Sequence, residues 1–174
     1  MEAKYFPIQI EEKWSKVWAD RELTKPESEN FFSQIIPPPN VTGTLHMGHS
    51  FQYAIMDFYT RYHHMNGTDA YWQVGTDHAG IATQMVVENN LRNEGKTKVD
   101  LGREPFVEEV WKWKDYSEGK ITSQMKRLGI TVEWDKYRFT LDDDYYQGVI
   151  QAFVELYRKE KIYRGYRLVN WDPA

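Results

Sequence analysis

Two histidines three residues apart, His46 and His49, stand inside the run Pro37-Pro38-Pro39-Asn40-Val41-Thr42-Gly43-Thr44-Leu45-His46-Met47-Gly48-His49. Imidazoles supply hydrogen-bond donors that follow charge as it moves in a transition state, without acting as nucleophiles. Gly43 and Gly48 would let backbone or substrate approach closely. A helix starting just after this loop would offer free N–H groups and the positive end of its dipole to an anion, so a phosphate is the natural guest. Attack of a carboxylate on an α-phosphate, with pyrophosphate leaving, needs positioning and charge stabilisation more than covalent help. His46 and His49 suit that chemistry. Alone, however, His-x-x-His is a weak signal, and such pairs more often serve as surface or capping residues.

A second run, Gly75-Thr76-Asp77-His78-Ala79-Gly80, shifts the balance. Asp77 is a carboxylate that could pair with the ammonium of an amino acid through a charge-assisted hydrogen bond. It could equally cap a helix beginning near Ile81. The functional reading requires both runs to open onto one edge of a sheet, where open α/β folds bind their ligands.

The elements around them predict that arrangement. Phe31 to Ile36 is short, β-branched and aromatic, and is stopped by three prolines that cannot donate to a sheet ladder. Phe51, Ala54, Ile55, Phe58, Tyr59 and Tyr62 then fall on one face of a long helix that closes near Asn66-Gly67. Ala70 to Val74 reads as a second strand ended by Gly75, and Ile81 to Asn93 as a helix ending at Gly95. The order strand, loop, helix, strand, loop, helix predicts two consecutive right-handed crossover units of a parallel sheet. The expected fold class is α/β, the N-terminal half of a Rossmann-like parallel sheet with a helical insertion.

Before this core, Ile10, Trp14, Val17 and Trp18 predict a short amphipathic helix from about Ile8 to Asp20, followed by a polar break at Lys25 to Asn30. After it, Phe106, Val110, Trp113, Ile121, Met125 and Leu128 mark one long, insertion-like helix bounded by Pro105 and Gly129. Asp142-Asp143-Asp144 signals the start of another, carrying Tyr145, Val149, Ile150, Phe153, Leu156 and Tyr157. Tyr163 to Trp171 alternates weakly and reads as a strand. The ending at Asn170-Trp171-Asp172-Pro173-Ala174 has the look of a cut rather than a terminus. His63-His64 is expected to be solvated, and Trp111, Trp113 and Trp134 to pack in the core rather than stack on bases.

The stretch PPPNVTGTLHMGH resembles the HIGH-type signature of class I aminoacyl-tRNA synthetases, and with GTDHAGIATQMVVE it is similar to the valine-specific branch of that family. The resemblance runs from about Phe6 to Ala174. It implies activation of valine with ATP, with Mg2+ on the phosphates, followed by transfer to tRNA(Val). Carried over residue by residue, it places Thr44, His46, Gly48 and His49 at the ATP, with His46 and His49 catalytic. Pro38, Asn40 and Asp77 fall near the amino acid, with Asp77 facing its amino group, and His78 and Gln84 are neighbours of the site. No metal ligand set is implied.

The same resemblance divides the chain into an N-terminal helical extension (1–30), the first half of the catalytic domain (31–95), and a helical continuation leading to an editing insertion (96–174). It also implies a monomeric full-length enzyme. The family's Lys-rich KMSKS loop, the later half of its sheet, the editing domain and the anticodon-binding helices are absent from these residues. Two other readings stay open: a nucleotide-binding fragment without turnover, and a metal-dependent hydrolase using His46, His49 and His78 or Asp77 as ligands.

Composition narrows the classes. Seven Trp, twelve Tyr and eight Phe in 174 residues exclude a disordered chain. The absence of cysteine excludes disulfides and thiolate metal sites. A net charge of -4 with no basic block gives no electrostatic footprint for nucleic acid. No run approaches a membrane span and no secretion signal leads the chain, so the expected compartment is the cytoplasm, with no membrane partner.

Overall fold

Parallel strands need connections long enough to run back over the sheet, and this chain provides two of them. The structure, a computed structural model, describes residues 6–19 and 31–172. The polar break at Lys25 to Asn30 lies outside the described residues, as do Asp20 and the last two residues.

After helix α1 (Pro7–Ala19), strand β1 (Phe31–Ile35) leads through helix α2 (Met47–Met65) to strand β2 (Asp69–Gln73). Strand β3 (Gly75–Thr76) follows at once, and helices α3 (Gly80–Asn93), α4 (Lys98–Leu101) and α5 (Arg103–Leu128) return the chain to strand β4 (Arg138–Phe139). β1 pairs with β2 in parallel, Phe31 opposite Asp69 and Ile35 opposite Gln73. β3 pairs with β4 in parallel, Gly75 opposite Arg138. Successive carbonyls of a strand point to opposite edges. Gln73 O accepts from Ile36 N–H at 3.0 Å and Val74 O accepts from Arg138 N–H at 3.2 Å. The line β2–β3 is therefore central, with β1 and β4 on either side.

Strand alternation sets the core. Ile36, Trp72 and Val74 share one face of the sheet and are buried with Tyr53 of α2 and Ile121 and Met125 of α5. Helix α5 thus supplies core to the sheet it follows. A second cluster joins α3 to α5 through Val87, Leu91 and Phe106. Trp18 of α1 covers the turn after α5, where the Arg61 guanidinium lies 4.9 Å from its ring centroid and donates to Gly129 O at 2.7 Å.

Three expectations need correction. Tyr163 to Trp171 forms no strand; its described residues lie exposed with no ladder partner. The third strand is instead β4, too short to show an alternating pattern. His63 and His64 are half-buried rather than solvated, because Phe32 stacks on His63 at 4.0 Å and Ala70 O lies 3.1 Å from His64 Nε2. The apolar face read on α2 is real but points to solvent: Phe51 is 70% exposed, while Tyr53 and Thr60 on the other side are fully buried.

Contacts divide the chain into two units, Met1–Phe139 and Thr140–Ala174. The second holds helix α6 (Asp143–Arg158), which begins with Asp143 and Asp144 in its first turn as expected and has no buried residue. Among the described residues no helix is long and apolar enough to cross a membrane.

Candidate functional site

The two loops singled out by their chemistry meet. Beyond Ile35 the chain turns through the prolines, yet the pairing with the central strand resumes: Asn40 and Asp77 form a parallel bridge. Asp77 N–H donates to Pro39 O at 2.9 Å and Val41 N–H donates to Asp77 O at 3.0 Å. Asn40 and Asp77 are thereby neighbours at the C-terminal rim of the sheet, where crossover folds place ligands. Pro39 and Val41 are buried, whereas Pro38, Asn40 and Thr44 remain exposed.

At the start of α2 the two histidines form a capping box. His46 is the N-cap; its Nδ1 accepts from Gly48 N–H at 3.0 Å, and His49 Nδ1 accepts from His46 N–H at 3.2 Å. A neutral imidazole carries one proton, so accepting at Nδ1 places the proton of each ring on Nε2. Both rings then hold an Nε2–H donor in fixed orientation, with centroids 3.8 Å apart and planes tilted by 31°. Burial, then the neighbouring His46, lowers the pKa of His49 below its usual 6.5, which favours this neutral form. Gly48 permits the arrangement, since a Cβ there would come 2.8 Å from His46 Cε1. No acidic side chain occupies the first turn of α2, leaving its positive end uncompensated.

Asp77 is not the N-cap of α3. That position belongs to Ala79, which takes a left-handed conformation at φ 48 and makes no side-chain cap. For a residue with a Cβ this costs about 1–2 kcal/mol, a strain of the kind found where a loop is held for function. The Asp77 carboxylate instead accepts from Ala79 N–H at 3.2 Å and lies 3.3 Å from His78 Nδ1, both side chains partly exposed. His78 packs edge-on against Phe139, and its carbonyl accepts from Thr83 Oγ1 at 2.6 Å. Gln84 lies exposed on α3, one turn from its start.

Trp113, expected only as a core residue, and several residues not expected at the site hold these loops from behind. On α5, Trp113 Nε1–H donates to Val41 O at 2.9 Å, Ser117 Oγ donates to Gly43 O at 2.8 Å, and Gln124 Oε1 accepts from Leu45 N–H at 2.9 Å. Under the second loop, buried Thr76 bonds the Tyr137 hydroxyl, which donates to Glu118 Oε1 at 2.6 Å. Lys114 pairs with Glu118 at 2.8 Å; burial acts to lower the ammonium's pKa, but Glu118 and Asp115 outweigh it and hold it raised. The available signal was polar Ser117 placed between Trp113 and Ile121 on an otherwise apolar face.

Among the described residues no group of three His, Cys, Asp or Glu side chains is placed to hold a metal ion. His46 and His49 each use Nδ1 as an acceptor in the cap. The bridge thus brings the loop that leads to the two imidazoles and the Asp77 carboxylate to one rim of the sheet.

Comparison with known proteins places the chain in a family. A family model described as tRNA synthetases class I (I, L, M and V) matches residues 9–174. The valine--tRNA ligase of Acinetobacter baylyi is 53% identical over 170 residues, which is 97% of this chain but 18% of that protein. The chain therefore spans less than a fifth of this relative's length. The crystal structure of the ternary complex of Agrobacterium radiobacter K84 agnB2 LeuRS-tRNA-LeuAMS superposes with a TM-score of 0.73 over 98% of this chain and 20% of that one; at 24% identity it shows the fold alone. From the family match over nearly its whole length, the chain belongs to the class I tRNA synthetases of the I, L, M and V group.

Proposed function

We propose that these residues form the nucleotide and amino-acid half of the active site of a valine–tRNA ligase, which makes valyl-adenylate from valine and ATP and passes the valyl group to tRNA(Val). The observation that carries this reading is the Asn40–Asp77 bridge, which brings the histidine-bearing helix start and the Asp77 carboxylate to one rim. The 53% identity to a valine--tRNA ligase supports the choice of amino acid.

In this reading the valine ammonium pairs with Asp77 while Pro38 and Asn40 line the same pocket, with His78 and Gln84 at its margin. The phosphates lie at the start of α2, where Thr44, Gly48 and the Nε2–H donors of His46 and His49 meet them. As the valine carboxylate attacks the α-phosphate, charge gathers on the phosphate oxygens, and fixed donors stabilise it without reorganising. Mg2+ would come with the phosphates and offset their charge.

Residues 1–30, 31–95 and 96–174 act as extension, first catalytic half and helical continuation. Editing of mischarged tRNA belongs to a domain outside this chain. Such a domain has a physical reason, since a hydrophobic pocket rejects an added hydroxyl poorly; the general account of this limit uses the valyl and isoleucyl enzymes as its own example. The full-length enzyme is a cytoplasmic monomer.

The test is valine-dependent pyrophosphate exchange by the full-length protein. His49→Ala should lose at least about 100-fold in kcat, in line with removal of a transition-state donor. Undiminished exchange in a folded variant would refute the role, and a protein that exchanges only with another amino acid would refute the substrate.

A further inference from the structure

We infer that α5 is a positioning element with two separate polar rails, one setting the ATP-side loop and the other the amino-acid-side loop. This rests on the functional reading above and adds to it residues that contact no substrate.

The first rail is Trp113, Ser117 and Gln124, which at 3.6 residues per turn lie within roughly 40° of one another on the helix surface. Their partners are Val41 O, Gly43 O and Leu45 N–H, every second residue of the loop that ends at His46. From 113 to 124 the helix rises about 16 Å, and the loop, which turns at Val41–Thr42 and bends at Gly43, meets it at three points along that length. Ser117 is buried, and its hydroxyl donates to the Gly43 carbonyl from the core side. Loops ordinarily satisfy their backbone with water; this one is bonded at three alternate positions to one rigid helix.

The second rail, Lys114 and Glu118, lies about 100° further round the same helix. Glu118 accepts from the Tyr137 hydroxyl, which in turn accepts from Thr76 Oγ1 of the residue before Asp77. Lys114 fixes the other carboxylate oxygen and lies 4.6 Å from the centroid of the Phe139 ring, against which His78 packs. Ile121 and Met125, anchored in the sheet core, set the rotation of α5. The helix therefore holds His46 and Asp77 in register with each other through two independent sets of bonds.

Independent sets should fail independently. In the full-length protein, Gln124→Leu removes the acceptor for Leu45 N–H at similar volume, whereas Gln124→Glu retains an acceptor oxygen; Tyr137→Phe removes only the hydroxyl shared by Thr76 and Glu118. By pyrophosphate exchange, Gln124→Leu should raise KM for ATP about five- to tenfold, the size of one hydrogen bond, and leave KM for valine within about twofold. Gln124→Glu should recover most of that loss. Tyr137→Phe should show the opposite split. If both constants move together by one factor in each variant, or neither moves, the rails do not act separately and the inference is overturned. His49→Ala run alongside separates the two levels: its loss of exchange with no split in the rail variants sinks this inference alone, while its unchanged exchange sinks the functional reading.

Discussion

Gly75→Ala is the substitution whose effect follows most directly from the geometry. Gly75 sits opposite Arg138 in the β3–β4 pair, and a Cβ built on it overlaps the Arg138 carbonyl oxygen. Backbone cannot rotate aside as a side-chain tip would, so β4 must move off the central strand. Forcing a methyl into a packed site costs about 1–3 kcal/mol. Weakening one ladder hydrogen bond adds about 1 kcal/mol. The reduced freedom of the unfolded chain returns about 0.4–1 kcal/mol. The net expectation is a loss of about 2 kcal/mol, which for a chain of this size lowers Tm by roughly 4–8 °C. Tryptophan fluorescence during thermal unfolding of residues 1–174 reads it. Gly119→Ala is the control: it lies within α5 with nothing within 4 Å of its Cβ position, and should gain about 0.5–1 kcal/mol. Equal Tm values for Gly75→Ala and the parent chain would refute the close parallel approach of β3 and β4, and with it the support of Thr76.

Other expectations follow from single groups. The Tyr53 hydroxyl is buried without a protein partner, and burial raises its pKa to about 12; Tyr53→Phe should be neutral or stabilising by up to about 1–2 kcal/mol in urea denaturation, and a loss of that size would mean the hydroxyl is bonded. Asp57 accepts from Thr131 N–H and from Arg61, both at 2.6 Å; Asp57→Ala should cost about 2–4 kcal/mol by the same measurement, and a cost under about 0.5 kcal/mol would show these bonds do not hold the turn after α5. His49 should titrate below 6.5 by NMR. Because the folded state takes this proton less readily than the unfolded chain, its contribution is complete above pH 6.5 and is lost as pH falls through the folded pKa; a midpoint at or above 6.5 would contradict the capped neutral pair.

Much of the site could be read in advance because its boundaries are chemical. Three prolines end β1 and place its loop at a strand end, whereas Gly75, which the sequence marks as the end of the second strand, lies within the pairing as the first residue of β3. What could not be read lacked a local signal. β4 is the pair Arg138–Phe139, too short for an alternating pattern, and it exists only because Gly75 admits it. Helix α2 is apolar on more than one side, so periodicity picked the face carrying Phe51 and Phe58 while the sheet took Tyr53 and Thr60. His46 and His49 cap α2, and the same hydrogen bonds fix the orientation of their Nε2 atoms. The bonds from α5 to Val41, Gly43 and Leu45 join residues more than seventy positions apart, which no single-sequence pattern records.

The central claim is that the rim formed by residues 40–49 and 76–80 holds one activated amino acid. A crystal structure of the full-length protein with a non-hydrolysable valyl-adenylate analogue tests it most directly. The account expects the ammonium about 2.7–3.2 Å from the Asp77 carboxylate, with the phosphate at the start of α2 within reach of His46 or His49 Nε2. An analogue bound elsewhere, or turned with its ammonium away from Asp77, would contradict it.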